Sequence, residues 1–174
     1  MKAWRAVDRP WRGFSLLEMM AATTIMAVIM GSVVVVIRSG YAVWNAYEED
    51  VAVMENGYAV LRHFVRQMRQ AQAVTVISVP ESTTGNLSYS TAGGAVHSWS
   101  LDGSSQVNFN NGTTTNLLAT AINQLNFIGY EADGTTPTTV VNDIQLVKCT
   151  VQVTLSLGGG TTRSVSTMAW IRSW

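Results

Sequence analysis

The run from Met19 to Ile37 contains no charged side chain, and it limits what the chain can be more than any other stretch. Taken from Phe14 to Ile37 the apolar segment fills 24 positions with Glu18 as its one charge, and about 20 such residues suffice to cross a bilayer as a helix. Lys2, Arg5, Arg9 and Arg12 precede it against Asp8, a net charge of +3 that favours a cytoplasmic N-terminus. A secretory signal would carry a shorter apolar core followed by a small-residue cleavage site, and no Ala-x-Ala occurs before Arg38. A plain single-pass anchor accounts for everything here except Glu18. A carboxylate in an apolar helix costs about 2.5–3.5 kcal/mol at mid-bilayer on insertion scales and less near the interface.

The order Arg12-Gly13-Phe14-Ser15-Leu16-Leu17-Glu18 resembles the class III signal of type IV pilins and type II secretion pseudopilins. That resemblance implies cleavage after Gly13 by a prepilin peptidase, which then methylates the new amine on Phe14. The amine would stand four residues before Glu18, and residues four apart share a helix face. The two charges could neutralise each other within one chain. The resemblance favours pairing between subunits, the carboxylate of an incoming chain meeting the amine of its neighbour. A glutamate snorkelling to the headgroups is the bland alternative. Ala27-x-x-x-Gly31 adds a small-residue face that lets helices approach closely in lipid.

Removing residues 1–13 takes four of the 11 basic residues and one of the 11 acidic ones, leaving 7 against 10 and a net charge of −3. No basic and aromatic cluster marks a nucleic-acid surface. Cys149 is the single cysteine, so the C-terminal disulfide loop of many major pilins cannot form. A lone thiol in a strand reads as a small core residue.

Between Pro10 and Pro80 there is no proline to break a helix. Beyond Arg38, Trp44, Tyr47, Val51, Met54, Tyr58, Leu61, Val65 and Met68 recur at spacings of three and four, an apolar stripe that needs a cover. A sheet is the expected cover, with a coiled coil as the alternative. A helix from Phe14 to about Ile77 would be about 95 Å long. Glu48, Glu49, Asp50 and Glu55 lie nearer the apolar segment and Arg62, Arg66 and Arg69 further out. This is a solvated face or a set of complementary contacts between staggered subunits. Gly31, Gly40 and Gly57 weaken the helix by about 1 kcal/mol each relative to alanine. Val35 stands where many pilins carry a helix-loosening proline.

After Val79 the chain alternates in short strands. Asn86–Ser90 and Ala95–Leu101 flank Ala92-Gly93-Gly94, and Gln106–Asn110 and Thr113–Leu117 flank Asn111-Gly112, a two-residue hairpin signal. Ile144 to Leu157 alternates as a long strand, and Gly158-Gly159-Gly160 joins it to Arg163–Ile171. The expected class is α+β, with one long helix packed on an antiparallel sheet. The divisions are a leader at 1–13, a transmembrane or filament helix at 14–37, an amphipathic continuation at 38–78 and a β domain at 79–174.

Leu125-x-Phe127-x-x-Tyr130-x-x-Asp133-Gly134, Ile144-Gln145-Leu146-Val147-Lys148 and the closing Trp170-Ile171-Arg172 resemble the J-type minor pseudopilins and the W-type minor pilins. The expected function is therefore a structural subunit of a type II secretion pseudopilus, in its tip complex. Its partners would be a prepilin peptidase, other minor pseudopilins, the inner membrane and a secreted substrate. The globular domain would lie in the periplasm or outside the cell. A minor type IV pilus subunit and a membrane-tethered binding or adhesion module are the alternatives.

No enzymatic motif is present: no Gly-x-Ser-x-Gly, phosphate loop, His-Glu-x-x-His or Cys-x-x-Cys occurs, and no cofactor is expected. Asp102, Glu131, Asp133 and Asp143 are calcium candidates that lack the alternation of a dedicated calcium loop and read as turn residues. Trp99, Trp170 and Trp174 are candidates for an adhesive surface, with buried packing as the ordinary explanation.

Overall fold

The computed structural model describes residues 13–157 and 159–171. The leader charges, Arg172 and Trp174 therefore lie outside the described residues. One helix, α1 (Leu16–Met68), is followed by β1 (Ala71–Ile77), β2 (Asn86–Thr91), β3 (Val96–Leu101), β4 (Val107–Asn110), β5 (Thr115–Ala119), β6 (Gln124–Tyr130), β7 (Pro137–Thr138), β8 (Leu146–Leu155) and β9 (Thr161–Trp170). The class is α+β with antiparallel sheets, as expected. The chain divides into two compact units, with the boundary between Trp44 and Asn45.

In the first unit every described residue from Gly13 to Trp44 is exposed. Among the described residues these apolar side chains stay exposed, and the hydroxyls of the helix are satisfied locally. Thr23 Oγ1 donates to the Met20 carbonyl at 3.0 Å and Thr24 Oγ1 to those of Met20 and Ala21. Ser32 and Ser39 donate to the carbonyls of Ile29 and Val36. Hydroxyls bonded back to their own helix need no outside partner, as an apolar surrounding would require.

The second unit contains two sheets where one was expected. β1 to β5 form a five-stranded meander in sequence order, and a four-stranded sheet runs β7-β6-β8-β9. Gly85 joins them: its N–H donates to the Leu125 carbonyl at 2.7 Å, and Leu125 N–H donates to Thr83. A Cβ on Gly85 would stand 2.5 Å from the Leu125 oxygen, so only glycine permits this approach. Asn126 Nδ2 donates to the carbonyls of Pro80 and Ser82 and closes the same seam.

The second half of α1 supplies the third layer. Phe64 lies 5.5 Å from the Trp99 ring of the first sheet and 5.9 Å from the Phe127 ring of the second, so one side chain ties the helix to both. Trp99 also stacks on Tyr89 at 5.1 Å. Tyr89, Trp99, Phe64, Phe127 and Cys149 are all buried, and burial pushes the Cys149 thiol well above its ordinary value. Trp99 is thus core, with no part in an adhesive surface.

Four expectations need correcting. The helix stops at Met68, short of residue 78, and Ala71–Ile77 is a strand. The β-branched sequence Val74-Thr75-Val76-Ile77 packs better on a pleated surface than in a helix. The expected stripe holds only in part: Leu61 and Met68 are buried and Met54 and Val65 pack against the core, Asp50, Gly57, Val60 and Phe64 join the buried face, and Trp44, Tyr47, Val51 and Tyr58 are exposed. A 3.5-residue count drifts about 20° per heptad around a real helix, and both Gly57 and Asp50 were invisible to an apolar count. Gly57 faces Val151, Val153 and Val165, and the sheets of this chain, rather than a partner helix, cover the face. Asp50, placed by the sequence on a solvated acidic face, is 8 % exposed. Its carboxylate accepts N–H bonds from Ser156 at 2.5 Å and Leu157 at 3.1 Å, fixing the β8–β9 turn. Finally, Asn110 pairs with Thr115 and Asn111 N–H donates to Thr114. The tight turn is therefore Gly112-Thr113, one residue later than expected.

Candidate functional site

The candidate site is the start of α1 and the apolar helix that follows it. Ser15 caps the helix: its side-chain oxygen accepts the Glu18 N–H at 3.2 Å, and its carbonyl accepts the Met19 N–H at 3.1 Å. Ser15-x-x-Glu18 is the sequence form of a capping box, a local signal of where the helix starts. Glu18 falls in the first turn, where the helix dipole favours a negative charge by about 0.3–1 kcal/mol.

Gly13 and Phe14 precede the helix outside regular structure, and Phe14 is 77 % exposed. In the uncut chain the helix begins at Leu16, so Phe14 stands just before its first turn and Glu18 within it. The peptide bond after Gly13 lies outside regular structure, the form in which a protease can receive it. Among the described residues a Cβ at Gly13 would meet nothing within 4 Å.

Ala27 and Gly31 lie within α1 four residues apart, hence on one face. Among the described residues a Cβ at Gly31 would meet nothing within 4 Å. The helix from Leu16 onward is long and apolar enough to cross a membrane.

Residues 12–34 match the family model of the prokaryotic N-terminal methylation motif. The chain carries a type IV pilin-like N-terminus. The match covers that segment, which holds Gly13, Phe14, Glu18, Ala27 and Gly31. No curated protein and no solved structure matches the chain.

The remaining candidates are separate from this segment. Asp102 accepts N–H bonds from Ser104 and Gln106, both at 2.9 Å, and one from the Asn108 amide. Asp133 accepts from Thr135 and Thr136 through backbone and hydroxyl. Both are turn residues, and these donors hold both carboxyls below the usual range. Among the described residues, no three His, Cys, Asp or Glu side chains come together to hold a metal. Trp170 is 54 % exposed on β9.

Proposed function

We propose that this chain is a minor pseudopilin, a structural subunit in the tip complex of a type II secretion pseudopilus. In this reading a prepilin peptidase cuts after Gly13 and methylates Phe14. Residues 14–37 anchor the chain in the inner membrane and then enter the filament core, with the globular domain in the periplasm or outside the cell. One observation carries the reading: a carboxylate sits in the first turn of a capped helix whose apolar side chains are exposed among the described residues. An uncovered apolar helix needs lipid or other helices around it. A carboxylate at its start needs a cation, and cleavage creates one on Phe14. The Ala27–Gly31 face gives a neighbouring helix room to approach.

The same residues would serve a minor type IV pilus subunit. The exposed Trp170 favours a different second reading, a membrane-tethered module that binds a secreted substrate or a surface. Glu18→Ala separates assembly from tethering. It removes the charge while Ser15 keeps the cap, so cleavage and domain folding survive. In co-expression with sibling pseudopilins, the processed wild type should co-purify with them and support secretion, and Glu18→Ala should do neither. A variant that co-purifies and functions like wild type would leave Glu18 a passive charge and favour the tethered module.

A further inference from the structure

Four strands end the two sheets, and three of those edges are blunted. β1 pairs with β2 through two register shifts and β5 with β4 through one, while β7 is two residues long. Bulges and short strands are ordinary ways of stopping an edge from recruiting another strand. β9 has neither. It pairs with β8 over ten consecutive residues without a shift, from Leu155↔Thr161 to Leu146↔Trp170, and it ends its sheet. It contains no proline and a single charge, Arg163. Ten residues make an edge about 34 Å long.

Beside this edge runs a groove of about 880 Å3 between α1 and β9, with Ser166 and Thr167 on the strand side. Its helix side carries Arg62, Arg66 and Arg69, all exposed. Among the described residues none of the three forms an ion pair. Glu55 lies in the same groove, two helical turns before Arg62. The cationic stretch is therefore the part from Arg62 to Arg69.

We propose that this groove takes an extended, acidic segment of a partner protein, which adds to the second sheet as a strand against β9. The open edge supplies main-chain donors and acceptors to any extended peptide. The arginine row selects among peptides by charge, since carboxylates alternating along the added strand meet guanidinium groups on one side. Glu55 disfavours acidic residues at its end and so sets which part of the segment carries the charge. The site belongs to the globular unit alone and does not depend on how the N-terminal helix is used.

The test uses the full chain in detergent micelles and a fluorescein-labelled peptide of five valine–glutamate repeats. Saturable binding is expected, weakened by salt, with the β9 amides becoming protected from hydrogen exchange when the peptide is bound. The double variant Arg66→Glu, Arg69→Glu alters exposed residues only and should weaken binding at least tenfold. A peptide of valine–lysine repeats should not bind. A valine–glutamate peptide N-methylated at alternate residues keeps its charge but cannot pair as a strand, and it should also fail. Absence of saturable binding would overturn the proposal, as would equal binding of the lysine or N-methylated peptide. Self-association of the chain through β9 that the peptide cannot displace would make a second copy the occupant, and would overturn it too.

Discussion

The two units of this chain handle apolar surface in opposite ways. From Gly13 to Trp44 every described residue is exposed, and the hydroxyls of Thr23, Thr24, Ser32 and Ser39 bond back to their own helix. From Asn45 onward the same helix contributes Val60, Leu61, Phe64 and Met68 to a core closed by two sheets. In the proposed function the first unit is completed by its surroundings, whereas the second closes its own core. A substitution in the first should therefore change where the chain goes and what it joins. A substitution in the second should change whether it folds.

Phe64→Ala is the largest expected break on the folded side. It empties the site where α1 meets Trp99 and Phe127 and should cost about 3–5 kcal/mol, read as a lower denaturant midpoint. Val35→Ala, on the exposed apolar helix, should leave that midpoint unchanged. Equal losses in the two variants would erase the distinction between the units.

Asp50→Ala comes next. It removes the acceptor of two backbone N–H groups and should cost about 1–3 kcal/mol, with faster hydrogen exchange confined at first to the β8–β9 turn. Gly57→Ala should go the other way. The added Cβ would lie 3.6–3.7 Å from three valine methyls, ordinary contact, while the helix gains about 1 kcal/mol of propensity. A raised thermal midpoint is expected, and a lowered one would mean that the helix–sheet spacing has no slack.

The smallest effect is a pH dependence. His63 Nδ1 accepts from Trp99 Nε1 at 3.2 Å, so protonating that nitrogen breaks the bond. Burial first, and the neighbouring Arg66 second, hold the His63 pKa below its ordinary value of 6.5. The unfolded chain thus binds its proton more readily than the folded one. The contribution is fully present above pH 6.5 and is lost as pH falls through the lowered value. Urea midpoints at pH 7.5 and pH 5 should show this loss, and His63→Gln should remove part of it. An unchanged pH profile in that variant would assign the effect elsewhere.

The same division explains what could be read from sequence. Gly13, Phe14, Glu18 and the apolar run are adjacent along the chain, and their meaning does not depend on distant residues. Hairpins around Gly94 and Gly112 were legible for the same reason, to within one residue. Asp50 reads as one more acid in Glu48-Glu49-Asp50 until the β8–β9 turn arrives from more than a hundred residues away. Gly57 looks like a defect until the valines of β8 and β9 stand opposite it. The split into two sheets rests on Gly85 meeting Leu125, and no local pattern records that meeting. The Ser15 cap was written in the sequence as Ser-x-x-Glu and could have been found there.

The central claim is that the first unit is a processed assembly segment, and the mass of the mature N-terminus tests it most directly. Co-expressed with a prepilin peptidase, the wild-type chain should begin at Phe14 and carry one additional methyl group on its amine. Gly13→Val should keep all of residues 1–13. A chain that stays uncut, or one cut equally well in both forms, would contradict the account.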